Sequence, residues 1–407
     1  MTATIRLRLS LMMFLQYAVW GAWFVPFSTY LIHHGLSDWV GTIYSAQGWA
    51  AIAAPLFVGA IADRYFSAEK VMGVLHLAGG ALLFVLSTVG ADPGVMFAAT
   101  LGVLLAYMPT LALSNAIAFN AMTNVERQFP GVRVFGTIGW IVAGLIVGGL
   151  GAERTALPLY LAGGASLVYG LYAFTLPSVP PRAAERRASV GTLLGLDAIR
   201  EGDRSFWTLI ACALLMMIPF AFYNVYANPF LDGIGLEAAA AVQTIGQVSE
   251  VGFLLLLPFF FRLVGIKGVL IIGMIAWAVR YVLFANGFDA SGPNVPVLFL
   301  ALALHGICFD FVIVAATIWV DKRFPPETRA RAQSFLALVT WGAGYVLGSL
   351  GANLVYNANV GTSGQPEWHA FWLVPAGLAA VTAVIFWLLF RDRTRANPAV
   401  EAVAGRV

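Results

Sequence analysis

Charge is scarce in this chain of 407 residues. Asp, Glu, Lys and Arg make up 11% of it, against about 25% in an ordinary soluble domain. A soluble core cannot absorb the apolar surface this implies, which excludes a water-soluble globular protein. Cysteine is nearly absent: Cys212 and Cys308 both fall inside apolar stretches, so neither a disulfide framework nor a cysteine-based metal site is expected, and both read as small packing residues. Long runs of strict polar–apolar alternation are missing, which excludes an outer-membrane barrel. Ser10 to His33 is too long for the apolar region of a signal peptide and lacks a small-residue cleavage site, so it reads as a first membrane span. There is no metal-spaced His/Cys cluster, nucleophile elbow or phosphate-binding glycine loop, which argues against an enzyme. No soluble signalling domain supports a receptor or scaffold. The net charge of +3 does not point to nucleic acid, because the basic residues have another use.

What is present is apolar, at 60% of residues, in blocks long enough to cross about 30 Å of hydrocarbon as helices. They run Ser10–His33, Val40–Ala62, Lys70–Gly90, Val95–Ala121, Val134–Gly151 and Leu157–Leu176. After a polar stretch they resume at Phe206–Leu231, Ala238–Leu263, Gly268–Ala285, Val295–Val320, Ala330–Val355 and Ala370–Phe390. In lipid each backbone N–H and C=O must be satisfied within its own segment, so these are helices. The fold class expected is an all-α polytopic membrane protein with twelve transmembrane helices in two six-helix halves. The halves are residues 1–176 and 206–391, joined by a linker at 177–205 and followed by a tail at 392–407.

Orientation follows from Lys and Arg. With the N-terminus in the cytoplasm, 21 of the 23 basic residues fall in cytoplasmic segments. Arg154 lies in an outer loop and Arg280 within a span. Both termini and the linker are therefore expected inside, in a multi-pass protein of the cytoplasmic (inner) membrane. The linker stretch Thr192 to Ala198 reads as a short helix on the membrane surface. The ends of spans two and eight echo each other, in Pro55-Leu56-Phe57 and Pro258-Phe259-Phe260, as parallel repeats of a major facilitator fold would. Gly59-Ala60-Ile61-Ala62-Asp63-Arg64, followed by Lys70, resembles the motif between spans two and three of that superfamily. Gly59 allows close helix contact, and Asp63 with Arg64 can latch the cytoplasmic side.

Two acids stand at membrane depth, Glu250 in span eight and Asp310 in span ten. Charge there costs a few kcal/mol or more and marks substrate or proton pathways. Desolvation disfavours the ionised form, which makes each a candidate proton carrier; the alternative is a structural pair with Arg280. Arg280 on span nine reads as structural or snorkelling, and His76 on span three as structural. Polar side chains cluster on spans one, four, five, seven and eight, among them Gln16, Tyr107, Asn115, Arg133, Thr137, Asn224, Asn228, Gln243 and Gln247. Gln247 and Glu250 share a helix face. Aromatics accompany them: Trp20, Trp23, Trp140, Tyr223, Tyr226 and Phe309. Amides, carboxylates and ring faces together suit a neutral ligand with a flat ring and several hydroxyls. A drug exporter would be greasier, and an anion exchanger would carry more central Lys and Arg.

The run Phe14-Leu15-Gln16-Tyr17-Ala18-Val19-Trp20-Gly21-Ala22-Trp23 resembles the first span of the nucleoside–proton symporter family, the bacterial nucleoside permeases. So do Ala106 to Leu111, Arg133 to Gly139, Gln247 to Glu250, Gly265-Ile266-Lys267 and Phe309-Asp310-Phe311, in order along the chain. The resemblance implies a major facilitator fold and uptake of nucleosides with protons. It places substrate binding on Arg133, Thr137, Asn224, Gln247, Glu250, Phe309 and Asp310, and proton coupling on Asp310 and Glu250. Trp140 and His305 join the expected site at positions where the family pattern has Phe and Tyr, and Ala221 stands where it has Gln. These departures keep a second reading open, a facilitator for a sugar or a nucleoside breakdown product. No cofactor or metal is expected beyond protons as the coupling ion. The partners expected are a nucleoside and the lipid bilayer, with the chain working as a monomer.

Overall fold

The computed structural model describes residues 2–57, 66–180, 190–196, 202–361 and 366–392. Gly59, Asp63 and Arg64, the expected latch, lie outside the described residues.

Each apolar block coincides with helix, the second as far as Phe57. In the first half α1 (Ala3–Trp23) and α2 (Phe27–His33) make the first span, interrupted at Pro26, which has no N–H to continue a helix. Next come α3 (Val40–Tyr44), α4 (Ala46–Phe57), α5 (Ala68–Leu86), α6 (Pro93–Asn120), α7 (Val125–Gly149) and α8 (Leu157–Ala173). A four-residue helix, α9 (Val190–Leu193), lies in the linker. The second half contains α10 (Arg204–Gly233), α11 (Ala239–Ala285), α12 (Val295–Ala303), α13 (His305–Phe309), α14 (Ala315–Arg323), α15 (Pro326–Ala337), α16 (Tyr345–Ala358) and α17 (Trp368–Leu389). Starts are set by short polar side chains: Asp92, Asn124 and Asp203 each accept the backbone N–H three residues on, at 2.8, 3.0 and 2.9 Å, which satisfies donors the helix leaves open.

Nine helices among the described residues are long and apolar enough to cross a membrane. Part of the difference from the twelve expected blocks lies at α11. Its 47 residues would run about 70 Å if straight, twice the hydrocarbon thickness. Gly265, at φ 67°, breaks it in a conformation that a Cβ would strain. Both ends of α11 then lie at the same end of the bundle. The Ala240 N–H meets Glu153 there, and the Ala285 carbonyl meets His369. At the Gly265 end the Lys267 ammonium caps the carbonyls of Trp387 and Phe390 at 2.8 and 2.7 Å.

Within the first half α1 packs on α7 and α8, and α5 on α6 and α8. Within the second α10 packs on α16 and α17, and α11 on α13 and α17. Between the halves α7 meets α11, α2 meets α10, and α3 and α4 meet α16 and the helical turns before it. This packing fits the fold expected from the sequence. Glycines allow the crossings: a Cβ on Gly139 would stand 2.2 Å from the Phe14 carbonyl, and one on Gly148 2.6 Å from the Ala241 nitrogen.

In the linker, α9 sits against both α4 and α15. Gly195 approaches α15 so closely that a Cβ would meet the Arg331 carbonyl at 2.2 Å. Asp197 and Ala198 lie outside the described residues.

Candidate substrate cavity

A cavity of about 180 Å³ lies between the halves. It is contiguous, through Tyr17, Trp20, Gln47, Arg133, Phe309 and Trp341, with a second space of about 570 Å³ that reaches Pro55, Leu193 and Ser334 at the linker end. The opposite end is shut. Thr29 donates to the Asn228 amide oxygen at 2.5 Å, and Asn228 donates to the Gln243 amide oxygen at 2.9 Å, so a polar ceiling runs from span one through span seven to the cavity wall. Gly41 N–H donates to Asn353 at 2.8 Å, and Asn353 and Asn357 donate to the Asp38 carbonyl at 2.8 and 3.0 Å. Arg154 and His33 meet Asp232 at 2.9 and 3.3 Å. Glu153, in the loop after α7, accepts the Ala240 N–H at 2.6 Å, an anion set at the start of a helix, where the dipole favours it. Burial pushes its carboxyl above the ordinary range, and this N–H works against that. Each of these contacts joins one half to the other or to the ceiling. Among the described residues the conformation is therefore closed at the loop end, while the second space extends toward the linker.

Eight of the nine expected binding residues line the inner cavity: Arg133, Thr137, Trp140, Asn224, Gln247, Glu250, His305 and Phe309. They come from both halves, so the wall is complete only when the halves meet. Arg133 lies over the Tyr17 ring at 4.1 Å, a cation–π contact that holds the guanidinium across the cavity floor. Trp140 packs edge-on to Trp20 at 5.4 Å between centroids, and Trp20 Nε1 has no hydrogen-bond partner. His305 Nε2 stands 3.9 Å from Glu250 Oε2, outside hydrogen-bond reach.

Asp310 is the exception. It is 1% exposed, is not among the residues lining either space, and neither carboxyl oxygen has a partner. It opens a π-helical stretch, Asp310–Val314. A second such stretch, Leu338–Gly344, carries Trp341. Wide turns of this kind recur at functional sites because they re-aim side chains. Here one lies directly after Phe309 and the other contains Trp341, whose rings approach to 6.4 Å.

Other readings change. Arg280 does not snorkel: it is fully buried and gives Nη1 to His305 Nδ1 at 2.9 Å. Gln16 and Tyr107 leave the cavity for a separate network. There His76 bridges Ser166 and Gln16 at 3.1 and 3.2 Å, Gln16 donates to Thr110 at 2.8 Å, and Tyr107 donates to the Gln16 carbonyl at 2.6 Å. Tyr226 belongs to the loop-end closure through Asn353. Tyr17, Gln47 and Trp341 were not singled out. Gln47 carried the one available signal, an amide at membrane depth whose Oε1 is buried without a partner. Trp341 carried none, since a tryptophan facing lipid reads the same.

Known proteins resemble this chain along nearly its whole length. The family profile described as "Nucleoside H+ symporter" matches residues 3–395. The chain is 38% identical to "Putative nucleoside transporter YegT" of Escherichia coli (strain K12), over 97% of this chain and 96% of the relative. It is 35% identical to "Xanthosine permease" of the same organism, over 95% and 96%. The crystal structure of nucleoside transporter NupG superposes with a TM-score of 0.86 at 31% identity, covering 96% of this chain and all of that one.

Proposed function

We propose, since this chain belongs to the nucleoside H+ symporter family, that it carries nucleosides inward across the cytoplasmic membrane together with protons. Family membership makes it a multi-pass membrane transporter with a major facilitator fold, not an enzyme. The observation that carries the substrate reading is the wall of the inner cavity. Trp140 and Phe309 offer ring faces, and Arg133, Thr137, Asn224, Gln247 and Glu250 offer hydrogen-bonding groups between them. Rings stack on a base, while amides and carboxylates grip hydroxyls. Alternating access moves that wall: the loop end is closed here, and parting its contacts while the linker end shuts would expose the same cavity to the other side. We assign the proton to Asp310 and mainly ligand binding to Glu250, with no other cofactor. The cavity is built within one chain, so a monomer suffices.

Counterflow in proteoliposomes tests the reading. Vesicles preloaded with unlabelled uridine or adenosine should draw in the labelled compound, whereas an enzyme or scaffold would exchange nothing. The second reading, a sugar carrier, predicts counterflow with free sugars instead. A site built to pair hydroxyls penalises ligands that leave its groups unpaired, by roughly 1–3 kcal/mol each. Dideoxynucleosides should therefore compete at least about tenfold less well than nucleosides, and equal competition would count against a ribose-reading cavity. Glu250→Gln removes a charged acceptor and should weaken equilibrium binding by about 10- to 100-fold; unchanged affinity would remove Glu250 from the site.

The orientation is assigned from the basic residues. Cysteines placed in the linker should label only from inside, and cysteines in the loop between Val355 and Trp368 only from outside. Linker labelling by an impermeant reagent in intact cells would invert the assignment.

A further inference from the structure

Of the two basic residues outside the cytoplasmic segments, Arg154 and Arg280, only Arg280 falls within a span, and its surroundings are specific. It is 0% exposed. Its guanidinium lies 3.6 Å over the Tyr223 ring, and Nη1 is 2.9 Å from His305 Nδ1. A guanidinium has donors and no acceptor, so Nδ1 must accept. A ring nitrogen that accepts carries no proton, and the imidazole proton of that ring is then on Nε2. His305 packs in this setting against Tyr223 and Phe309, with centroids at 5.2 and 5.9 Å. Gly246 packs against its Cβ so closely that an added methyl would stand 3.0 Å away. The ring therefore has little freedom to flip.

From this we infer that Arg280 is a positioning residue for substrate selection: it fixes His305 as the Nε2–H tautomer, so that the cavity presents a permanent donor beside the Glu250 acceptor to a hydroxyl of the ligand. The identity of the group follows from the spacing. Nε2 and Glu250 Oε2 are 3.9 Å apart, too far to bond to each other. One oxygen fits about 2.8 Å from both. A carbonyl there would accept from His305 but face the carboxylate lone pairs, and an amine would do the reverse. A hydroxyl gives its proton to Glu250 and takes one from His305. The inference rests on the reading of the cavity as a nucleoside site, in which that hydroxyl belongs to the sugar.

Two measurements test it. With ¹⁵N-labelled histidine, the His305 resonances among the chain's five histidines are identified by their loss in His305→Gln. The wild type should show a bare Nδ1 and a protonated Nε2. Arg280→Met should give a mixture of tautomers, and Arg280→Lys, which still donates, should restore the single form. The second readout is the affinity ratio of uridine to 2′,3′-dideoxyuridine. It should be about tenfold or more in the wild type, fall toward one in Arg280→Met, and return in Arg280→Lys. If Arg280→Met does not fold, His305→Gln, which keeps an amide donor near the Nε2 position, should hold the ratio, and His305→Phe should collapse it. A protonated Nδ1 in the wild type, or a wild-type ratio in Arg280→Met or His305→Phe, overturns the assignment. A wild type that binds no nucleoside sinks the nucleoside reading instead, and the tautomer then stands or falls on the spectrum.

Discussion

Asp310→Asn should abolish the build-up of nucleoside against a gradient while leaving exchange intact. A pH difference of one unit is worth about 1.4 kcal/mol per proton, so one coupled proton supports roughly tenfold accumulation. The wild type should reach that ratio in proteoliposomes, and the variant should stop at about one. The reason lies in where the carboxyl sits. It is buried behind Phe309 rather than in the cavity, and both oxygens lack a donor. An ionised group there would have neither water nor a partner, at a cost of several kcal/mol; the protonated acid escapes most of it. We therefore assign Asp310 the proton, released only in a conformation that wets or pairs it. Asn resembles the protonated acid in shape and charge, so the variant should cycle with substrate but without the ion. Glu250, by contrast, lines the cavity and should hold ligand. Accumulation by Asp310→Asn in response to an imposed gradient would pass the coupling role to Glu250 or His305.

The sequence alone suggests this division, with Asp310 carrying the proton and Glu250 mainly holding ligand, but it gives no geometric reason for it. Glu250 and Asp310 look alike as carboxyls in apolar blocks, and the resemblance placed both in the binding site. What separates them is helix geometry. Asp310 begins a π-helical stretch, and a turn of five residues rather than four moves side chains off the face that ordinary periodicity predicts. The long apolar helices were readable because hydrocarbon thickness fixes their length, and the break at Gly265 because a glycine between Arg262 and Lys267 marks a turn. Membrane helices hide their inner face, since lipid and protein interior are both apolar. That is why Gln47 and Trp341 were missed, and why Gln16 was placed in the cavity rather than in its network with His76. For Arg280 the sequence left a structural and a snorkelling role open, and the full burial of its side chain decides for the structural one.

Gly41→Val should leave the transporter unable to close its loop end. In the closed state Gly41 lies against α16: a Cβ would stand 2.2 Å from the Ser349 carbonyl and 2.7 Å from the Asn353 Cβ. The neighbour is backbone and cannot yield as a flexible side chain would. The same contact carries the hydrogen bond from Gly41 N–H to Asn353, which joins Tyr226 and Asp38 in one cluster. Inter-half bonds of this kind contribute about 1 kcal/mol each, and the exposed pair of Arg154 with Asp232 adds little. The whole closure is then worth only a few kcal/mol, which suits an element that must part in every cycle. Overpacking of about 3 kcal/mol exhausts it and lowers the closed population by roughly 100-fold. Uptake should fall by a similar factor, while nucleoside binding from the loop side persists. Val25 lines the cavity, so a cysteine there should react faster with an impermeant thiol reagent added on the loop side in the Gly41→Val background. Gly351, also on α16, has open space where its Cβ would go, and Gly351→Val should transport normally. Wild-type uptake by Gly41→Val, or an unchanged reaction at Val25→Cys, would show that the tip of span two is not what seals the cavity.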